Sequence, residues 1–145
     1  MGCDIHLMVE VKDRKTNQWT EYDVADGAIK FIGRNYNLFG ILANVRNGFG
    51  FAHIDTGDAF IPISNPRGVP KDASKSYLSF VEDWGTDGHS HSFLNLDELQ
   101  NFEWEESYYE STAGFVDNVI PALEKIATDC SCTNEEVRIV FFFDN

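Results

Sequence analysis

Basic residues are scarce in this chain: 11 Lys and Arg stand against 24 Asp and Glu, for a formal net charge of −13. A protein that binds nucleic acid normally presents a basic stripe to the phosphates, and an anionic membrane attracts the same kind of surface. The scarcity therefore argues against polymeric nucleic acid and against a membrane as partners. A metal cation or a basic protein agrees better with this charge.

Cysteine is also scarce, because the chain has only Cys3, Cys130 and Cys132. An odd count without framework spacing argues against a disulfide-stapled secreted fold, and Cys-Ser-Cys lacks the C-x-x-C spacing of redox and zinc sites. No apolar run reaches 18 residues, so no transmembrane helix is expected. The first residues lack the basic and apolar regions of a signal peptide. We therefore expect a cytoplasmic protein.

The length of the chain, 145 residues, is typical of one domain. The apolar share of 43% is enough for an ordinary hydrophobic core. We therefore predict a single domain over residues 1–145.

Period-two alternation of apolar residues marks the predicted strands. It runs through residues 3–12 and again from Val137 to Phe143, and Trp19 to Tyr22 completes a hairpin with the first strand. His89 to Leu94 is a further predicted strand. The fold class predicted is α+β, with a mainly antiparallel sheet in which the N- and C-terminal strands are adjacent.

Two or three helices are predicted to pack against this sheet. Apolar residues at helical spacing predict helices over 35–46, 95–104 and 111–129, the last interrupted by Pro121. Residues 76–84 are compatible with either a helix or a strand, residues 23–33 are predicted as a loop, and 49–73 form a long loop rich in Gly, Pro and Asn.

Aspartate and histidine recur at strand spacing in two places. Asp4 and His6 fall on one face of the first strand, and Asp87 precedes a strand that places His89 and His91 on one face. A pairing of these two strands would gather all five side chains. Such a set suits a divalent metal such as Zn²⁺ or Mn²⁺, and His6, His89 and His91 also suit general acid–base catalysis. The alternative interpretation is that these are solvated polar residues of strand edges.

A second group of residues suits an anionic ligand. Guanidinium groups bind phosphate in a bidentate manner, helix N-termini favour anions, and aromatic rings stack on bases. The ligand-binding residues predicted on these grounds are Arg34, Asn35, Tyr36, Arg46, Arg67 and Trp84. The alternative is structural, because 24 carboxylates offer every arginine an intramolecular partner and aromatic residues commonly complete a core.

Several motifs resemble a family of small uncharacterised bacteriophage and prophage proteins. They are the opening Met-Gly-Cys-Asp-Ile-His, Arg-Asn-Tyr-x-Leu-Phe within 34–46, Pro-Arg-Gly-x-Pro at 66–70, Asp-Gly-His-Ser-His-Ser within 87–99, and the closing Phe-Asp-Asn. The resemblance implies a phage origin and the cytoplasm of a host cell, and no particular reaction. Small phage proteins often act against host defence by cleaving or sequestering nucleotide signals, which is an analogy of origin.

Three functions stay open at this stage. The first is an enzyme, a metal-dependent phosphoesterase acting on a small phosphate-bearing, nucleotide-like ligand. The second is a protein that sequesters such a ligand intact, and the third is an acidic inhibitor that docks on a basic host protein. The sequence also leaves the oligomeric state open, with a homo-oligomer among the alternatives.

Overall fold

The structure, a computed structural model, describes residues 2–24, 27–30, 32–48, 59–104 and 112–145. The predicted loop over 49–73 is therefore described only from residue 59 onward. The start of the predicted helix over 111–129 likewise lies at the edge of the described residues.

One antiparallel sheet organises the described chain. Its strands are β1 (Asp4–Asp13), β2 (Gln18–Tyr22), β3 (Gly88–Asn95) and β4 (Val137–Asp144), in the spatial order β2-β1-β4-β3. β1 and β2 form the predicted hairpin, and β1 pairs with β4 along most of its length. The predicted α+β class and the adjacency of the terminal strands are confirmed.

Helices cover both faces of the sheet. They are α1 (Gly27–Lys30), α2 (Tyr36–Ala43), α3 (Lys75–Trp84), α4 (Leu96–Asn101) and α5 (Ile120–Asp129). On one face, α1, α2, α4 and α5 bury the main core against alternate residues of β1 and β4. On the other face, α3 packs Tyr77, Phe80 and Trp84 against Val140 and Phe142. β4 is covered on both sides, which explains why seven consecutive residues of this strand are buried.

Capping side chains set two of the helix starts, as the sequence predicts. The Asn35 side chain accepts a hydrogen bond from the Leu38 N–H and begins α2. Asn95 and Glu98 form a reciprocal capping box at α4. The region between residues 76 and 84, which the sequence leaves undecided, is α3, with Ser74 as its N-cap.

Helix ends differ more from the sequence-based boundaries. α2 ends at Ala43 rather than near residue 46, because Asn44 takes a left-handed conformation with φ 56°. The predicted 23–33 loop contains the short helix α1. A π-helical turn, Phe115–Val119, precedes α5, and Pro121 lies in the first turn of that helix. Proline has no N–H to donate, so the break expected at Pro121 appears as a change from the π-helical turn to the regular helix α5.

Candidate functional site

The strand order separates the histidines that the sequence places together. β4 lies between β1 and β3, so the prediction that one strand pairing gathers the five Asp and His side chains is wrong. His6 on β1 and His91 on β3 instead lie on either side of the Phe142 ring. Their ring centroids are 5.2 Å and 5.1 Å from that of Phe142. An apolar ring thus fills the space where a shared ligand would have to lie.

A β-bulge separates His89 from His91. His89 lies opposite Phe143 and Ser92 lies opposite Phe141, so β3 carries one residue more than β4 between these two pairs. Ser90, within the bulge, has φ 54°. Because one extra residue reverses the alternation of side chains, His89 lies on the Phe143 face and His91 on the Phe142 face. The prediction that both histidines share a face is wrong for this reason.

Asp4 and His6 each have a different partner. The Asp4 carboxylate accepts two hydrogen bonds from Arg34, at 2.9 Å and 3.0 Å. This interaction lowers the pKa of Asp4. His6 Nε2 lies 3.0 Å from Asp144 Oδ1, and its ring packs on Trp84 with centroids 4.2 Å apart. Trp84, predicted to stack on a ligand, therefore stacks on His6.

The predicted metal ligands do not form a coordinating group. Asp87 is exposed in a 3₁₀ turn, Gly85–Asp87. His91 Nε2 is buried without a hydrogen-bond partner, and burial, followed by the charge of His89, lowers the pKa of His91. Among the residues that the structure describes, no three His, Cys, Asp or Glu side chains are arranged to hold a metal ion. The described residues therefore do not bring the five predicted ligands together, and metal binding stays a prediction from the sequence.

Two of the three predicted ligand-binding arginines bind carboxylates of this chain. Arg34 is paired with Asp4, as described above. Arg67 donates from Nη1 to Glu98 Oε1 at 2.8 Å and to the Phe93 carbonyl at 3.0 Å, and its Nη2 pairs with Glu98 Oε2. These contacts match the structural alternative and give both arginines a role in holding the fold.

Asn35 and Tyr36 also make structural contacts. Asn35 caps α2. The Tyr36 hydroxyl accepts a hydrogen bond from the Cys3 N–H at 3.1 Å, and the guanidinium of Arg46 lies 5.2 Å from the centre of the Tyr36 ring. Tyr36 thereby supports Arg46, the third predicted arginine.

Arg46 lines a cleft of about 230 Å³ at the end of the sheet. The residues described around this cleft are Asn44, Val45, Arg46, Pro66, His89, Ser90 and Asn145. None of these lining residues is acidic, although Asp and Glu make up 24 of the 145 residues of the chain. The cleft therefore brings an arginine and a histidine together, and no acidic side chain is among its described lining residues.

Unusual backbone conformations concentrate at this cleft. Five described residues other than glycine have φ in the left-handed region: Asn17, Asn44, Arg46, Ser90 and Ser131. Three of the five, Asn44, Arg46 and Ser90, line the cleft. Each such conformation costs on the order of 1–3 kcal/mol, and such residues gather where function requires a particular side-chain direction. Asn44 owes its conformation to ending α2, and Arg46 and Ser90 are the two whose conformations mark the cleft as the candidate functional site.

Hydrogen bonds orient His89 within the cleft. Its Nδ1 lies 2.9 Å from Ser90 Oγ, and its Nε2 lies 3.0 Å from Asn145 Oδ1. Both ring nitrogens are therefore engaged, and the ring is held between a hydroxyl and an amide.

Sequence reasoning identified Arg46 and His89 but missed their neighbours. Asp144, the partner of His6, follows from aligning the last strand with the first, since Asp4 lies opposite Asp144. The same alignment places Asn145, the next residue, at the end of the sheet where His89 lies. The position of Ser90 depends on the bulge, for which Asp-Gly-His-Ser-His carries no local signal.

Comparisons with protein-family models, with curated proteins and with solved structures give no match to this chain. Within the described ranges, no helix has both the length and the apolar character needed to cross a bilayer.

Proposed function

We propose that this protein binds a small phosphate-bearing, nucleotide-like ligand in the cleft formed by Arg46, His89 and Ser90. The observation that carries the proposal is the lining of this cleft. It combines a guanidinium and an imidazole with no acidic side chain among the described lining residues, in a chain whose net charge is −13. A phosphate is repelled by most of such a surface, so it concentrates where a cation, here Arg46 at 9% exposure, lies beside neutral donors.

The size of the cleft limits how much of the ligand it encloses. Its volume of about 230 Å³ is below the ~300–1,000 Å³ of sites that enclose a drug-sized molecule. A phosphoryl group and the atoms next to it fill this space, and the remainder of a nucleotide extends outward. The proposal is thus for recognition of the phosphate end of the ligand.

By analogy with small phage proteins, the proposal takes the ligand to be a nucleotide signal of host defence, which is either hydrolysed or retained. The fate of the ligand separates the two. Ligand released intact by heat denaturation supports retention, and release of a cleaved product supports hydrolysis. Uptake of a divalent cation stays a prediction from the sequence, and elemental analysis of the purified protein tests it.

The proposal is tested by measuring the binding of adenosine 5′-monophosphate with isothermal titration calorimetry. Inorganic phosphate should compete with it, and adenosine, which lacks the phosphate, should bind at least tenfold more weakly. Arg46→Gln should weaken binding by about 10–100-fold, because a charge-assisted hydrogen bond contributes about 1.5–3 kcal/mol. Arg46→Lys, which keeps the charge, should be affected less.

Arg14→Gln provides the matched control. Arg14 follows the far end of β1, is largely exposed, and pairs with Glu136 at 3.1 Å, so the variant makes the same charge change away from the cleft. Its affinity should equal that of the wild type. Equal affinity of adenosine and its monophosphate, or equal losses in the Arg46 and Arg14 variants, would overturn the proposal. Circular dichroism melting checks that both variants fold.

A further inference from the structure

The hydrogen-bonded series Ser90–His89–Asn145 has the arrangement of an activated nucleophile. We propose that Ser90 attacks the phosphorus of a phosphoester bound in the cleft, with His89 as its general base, an inference that rests on the function proposed above. Three features carry it: the contacts of His89, the backbone of Ser90, and the place of Arg46.

The contacts of His89 set the direction of proton transfer. The amide oxygen of Asn145, 3.0 Å from Nε2, accepts a hydrogen bond and so favours the proton on that nitrogen. Nδ1 is then unprotonated and accepts the hydrogen bond of the Ser90 hydroxyl at 2.9 Å. A nucleophile bonded to a base, with the base oriented by a third group, is the arrangement that nucleophilic catalysis requires.

The backbone of Ser90 lies in a conformation that a serine rarely adopts. Its φ of 54° occurs within the β-bulge of β3, and Ser90 lines the cleft together with His89. A regular strand would place consecutive side chains on opposite faces. The bulge instead allows Ser90 Oγ to reach the ring of the preceding residue, which brings hydroxyl and imidazole together in one cleft. In hydrolases, a strained backbone at a sharp turn likewise holds the nucleophilic serine so that its Oγ is presented to the substrate.

Arg46 supplies the charge that a phosphoryl group needs. It lines the same cleft as Ser90, its conformation is also left-handed with φ 53°, and its guanidinium stacks on Tyr36. A cation held beside the reacting phosphorus stabilises the charge on the non-bridging oxygens. The substrate class that fits is therefore a phosphate ester.

The reaction balances with water as the only co-reactant. The Oγ–P bond forms while the hydroxyl proton moves to His89 Nδ1, and the bond from phosphorus to the ester oxygen breaks. The departing alkoxide takes the proton from Nδ1 and leaves as an alcohol. Water then attacks phosphorus and gives its proton to Nδ1, and Ser90 Oγ leaves and recovers that proton. The sum is a phosphate ester and water giving an alcohol and phosphate.

A small alkyl fluorophosphonate tests the nucleophile, because it forms an Oγ–P bond and releases fluoride without needing the natural substrate. The full chain is treated with the reagent and digested, and mass spectrometry locates the adduct. Wild-type protein should be labelled at Ser90. His89→Gln and His89→Asn should slow labelling by about 10²–10⁴-fold, as expected for loss of a general base.

Ser131 is the matched control within the same chain. It has the same φ of 54° and is exposed, but it lies in a turn after α5, where its N–H donates to the Thr128 carbonyl at 3.2 Å. Ser131 should stay unlabelled under conditions that label Ser90. Ser90→Gly, which tolerates the left-handed backbone, should remove the adduct while leaving the fold unchanged.

Binding of adenosine 5′-monophosphate separates this inference from the proposed function. If Ser90 and Ser131 react equally, or if His89→Gln labels at the wild-type rate, Ser90 is not an activated nucleophile, even when Arg46-dependent binding persists. If the monophosphate does not bind, the proposed ligand class is wrong, whatever the labelling shows. Labelling of Ser90 that the bound monophosphate slows supports both.

Discussion

At the level of single residues, Glu98 links a helix start to a loop. Its carboxylate accepts the Asn95 N–H in the capping box and also binds the Arg67 guanidinium. The hydrogen bond from Arg67 holds the pKa of Glu98 below its usual range. A lowered pKa in the folded state means that the ionised form stabilises the fold. This stabilisation is present above the unfolded value of ~4.3 and is lost as pH falls through the folded pKa.

Glu98→Gln should therefore lower the free energy of unfolding by about 1 kcal/mol at pH 7, because it keeps an oxygen for the capping box but removes the charge. The difference from wild type should be full above the unfolded value of ~4.3 and should shrink as the pH falls through the lowered folded pKa of Glu98. Urea unfolding at several pH values measures it. Glu124→Gln, on the exposed side of α5, is the control, and a difference that stays constant with pH would contradict the assignment.

A buried ion pair on the α3 side of the sheet allows a second prediction at this scale. Glu10 is 0% exposed and accepts a hydrogen bond from Arg138 Nε at 2.7 Å and another from the Ser74 N–H at 2.7 Å. Arg138→Met would leave a buried carboxylate without its cation, so the free energy of unfolding should fall by about 3–5 kcal/mol. Adding Glu10→Gln should recover much of this loss in chemical denaturation. A double variant no more stable than the single one would show that the unpaired charge is not the cause.

At the level of elements, β3 matters because it is irregular. Its bulge directs His89 toward the cleft and His91 onto Phe142, so two histidines only two residues apart have unrelated surroundings. On the opposite side of Phe142, His6 completes a stack of three rings across three strands. This stack holds the end of the sheet that carries the cleft.

Gly88, the first residue of β3, permits this stack. A Cβ at this position would lie 3.0 Å from Phe142 Cδ2 and 3.5 Å from His91 Nε2. Gly88→Ala should therefore displace the Phe142 ring and destabilise the fold by about 1–3 kcal/mol. Gly114→Ala is the matched control, because its Cβ would meet nothing within 4 Å and its backbone is helical. The control should be neutral or slightly stabilising. Thermal melts of the pair measure the effect, and equal midpoints would argue against a tight stack.

At the level of the whole molecule, the net charge of −13 opposes compaction through repulsion among the carboxylates. Raising NaCl from about 0.05 M to 0.5 M shortens the Debye length from more than ~10 Å to a few ångströms. The melting temperature at pH 7 should therefore rise with salt. The same titration near the sequence pI of about 4.5 is the control, because the net charge there is close to zero and the rise should largely disappear. A melting temperature that is independent of salt at pH 7 would contradict the prediction.

Features of this fold that depend on residues close in sequence could be predicted, and features that depend on residues far apart in sequence could not. Alternating apolar residues in 3–12 and 137–143 revealed β1 and β4, and Asn35 and Asn95 revealed two helix starts, because alternation and capping depend on neighbours in sequence. The candidate site was identified less well. Arg34 and Arg67 were indistinguishable from Arg46 in sequence, since only folding shows which arginines have Asp4 and Glu98 beside them.

The sequence by itself determined the strands, their adjacency at the two termini, and the acidic charge that makes a cleft without described acidic side chains notable. Tertiary structure alone decided that β4 lies between β1 and β3, that a bulge reverses the direction of His89, and that Ser90 and Asn145 become the partners of His89. The physical reason is that the alternation of side chains between the two faces of a strand depends only on residues within that strand. Strand order and the parity change at a bulge are instead set by packing between residues far apart in the chain.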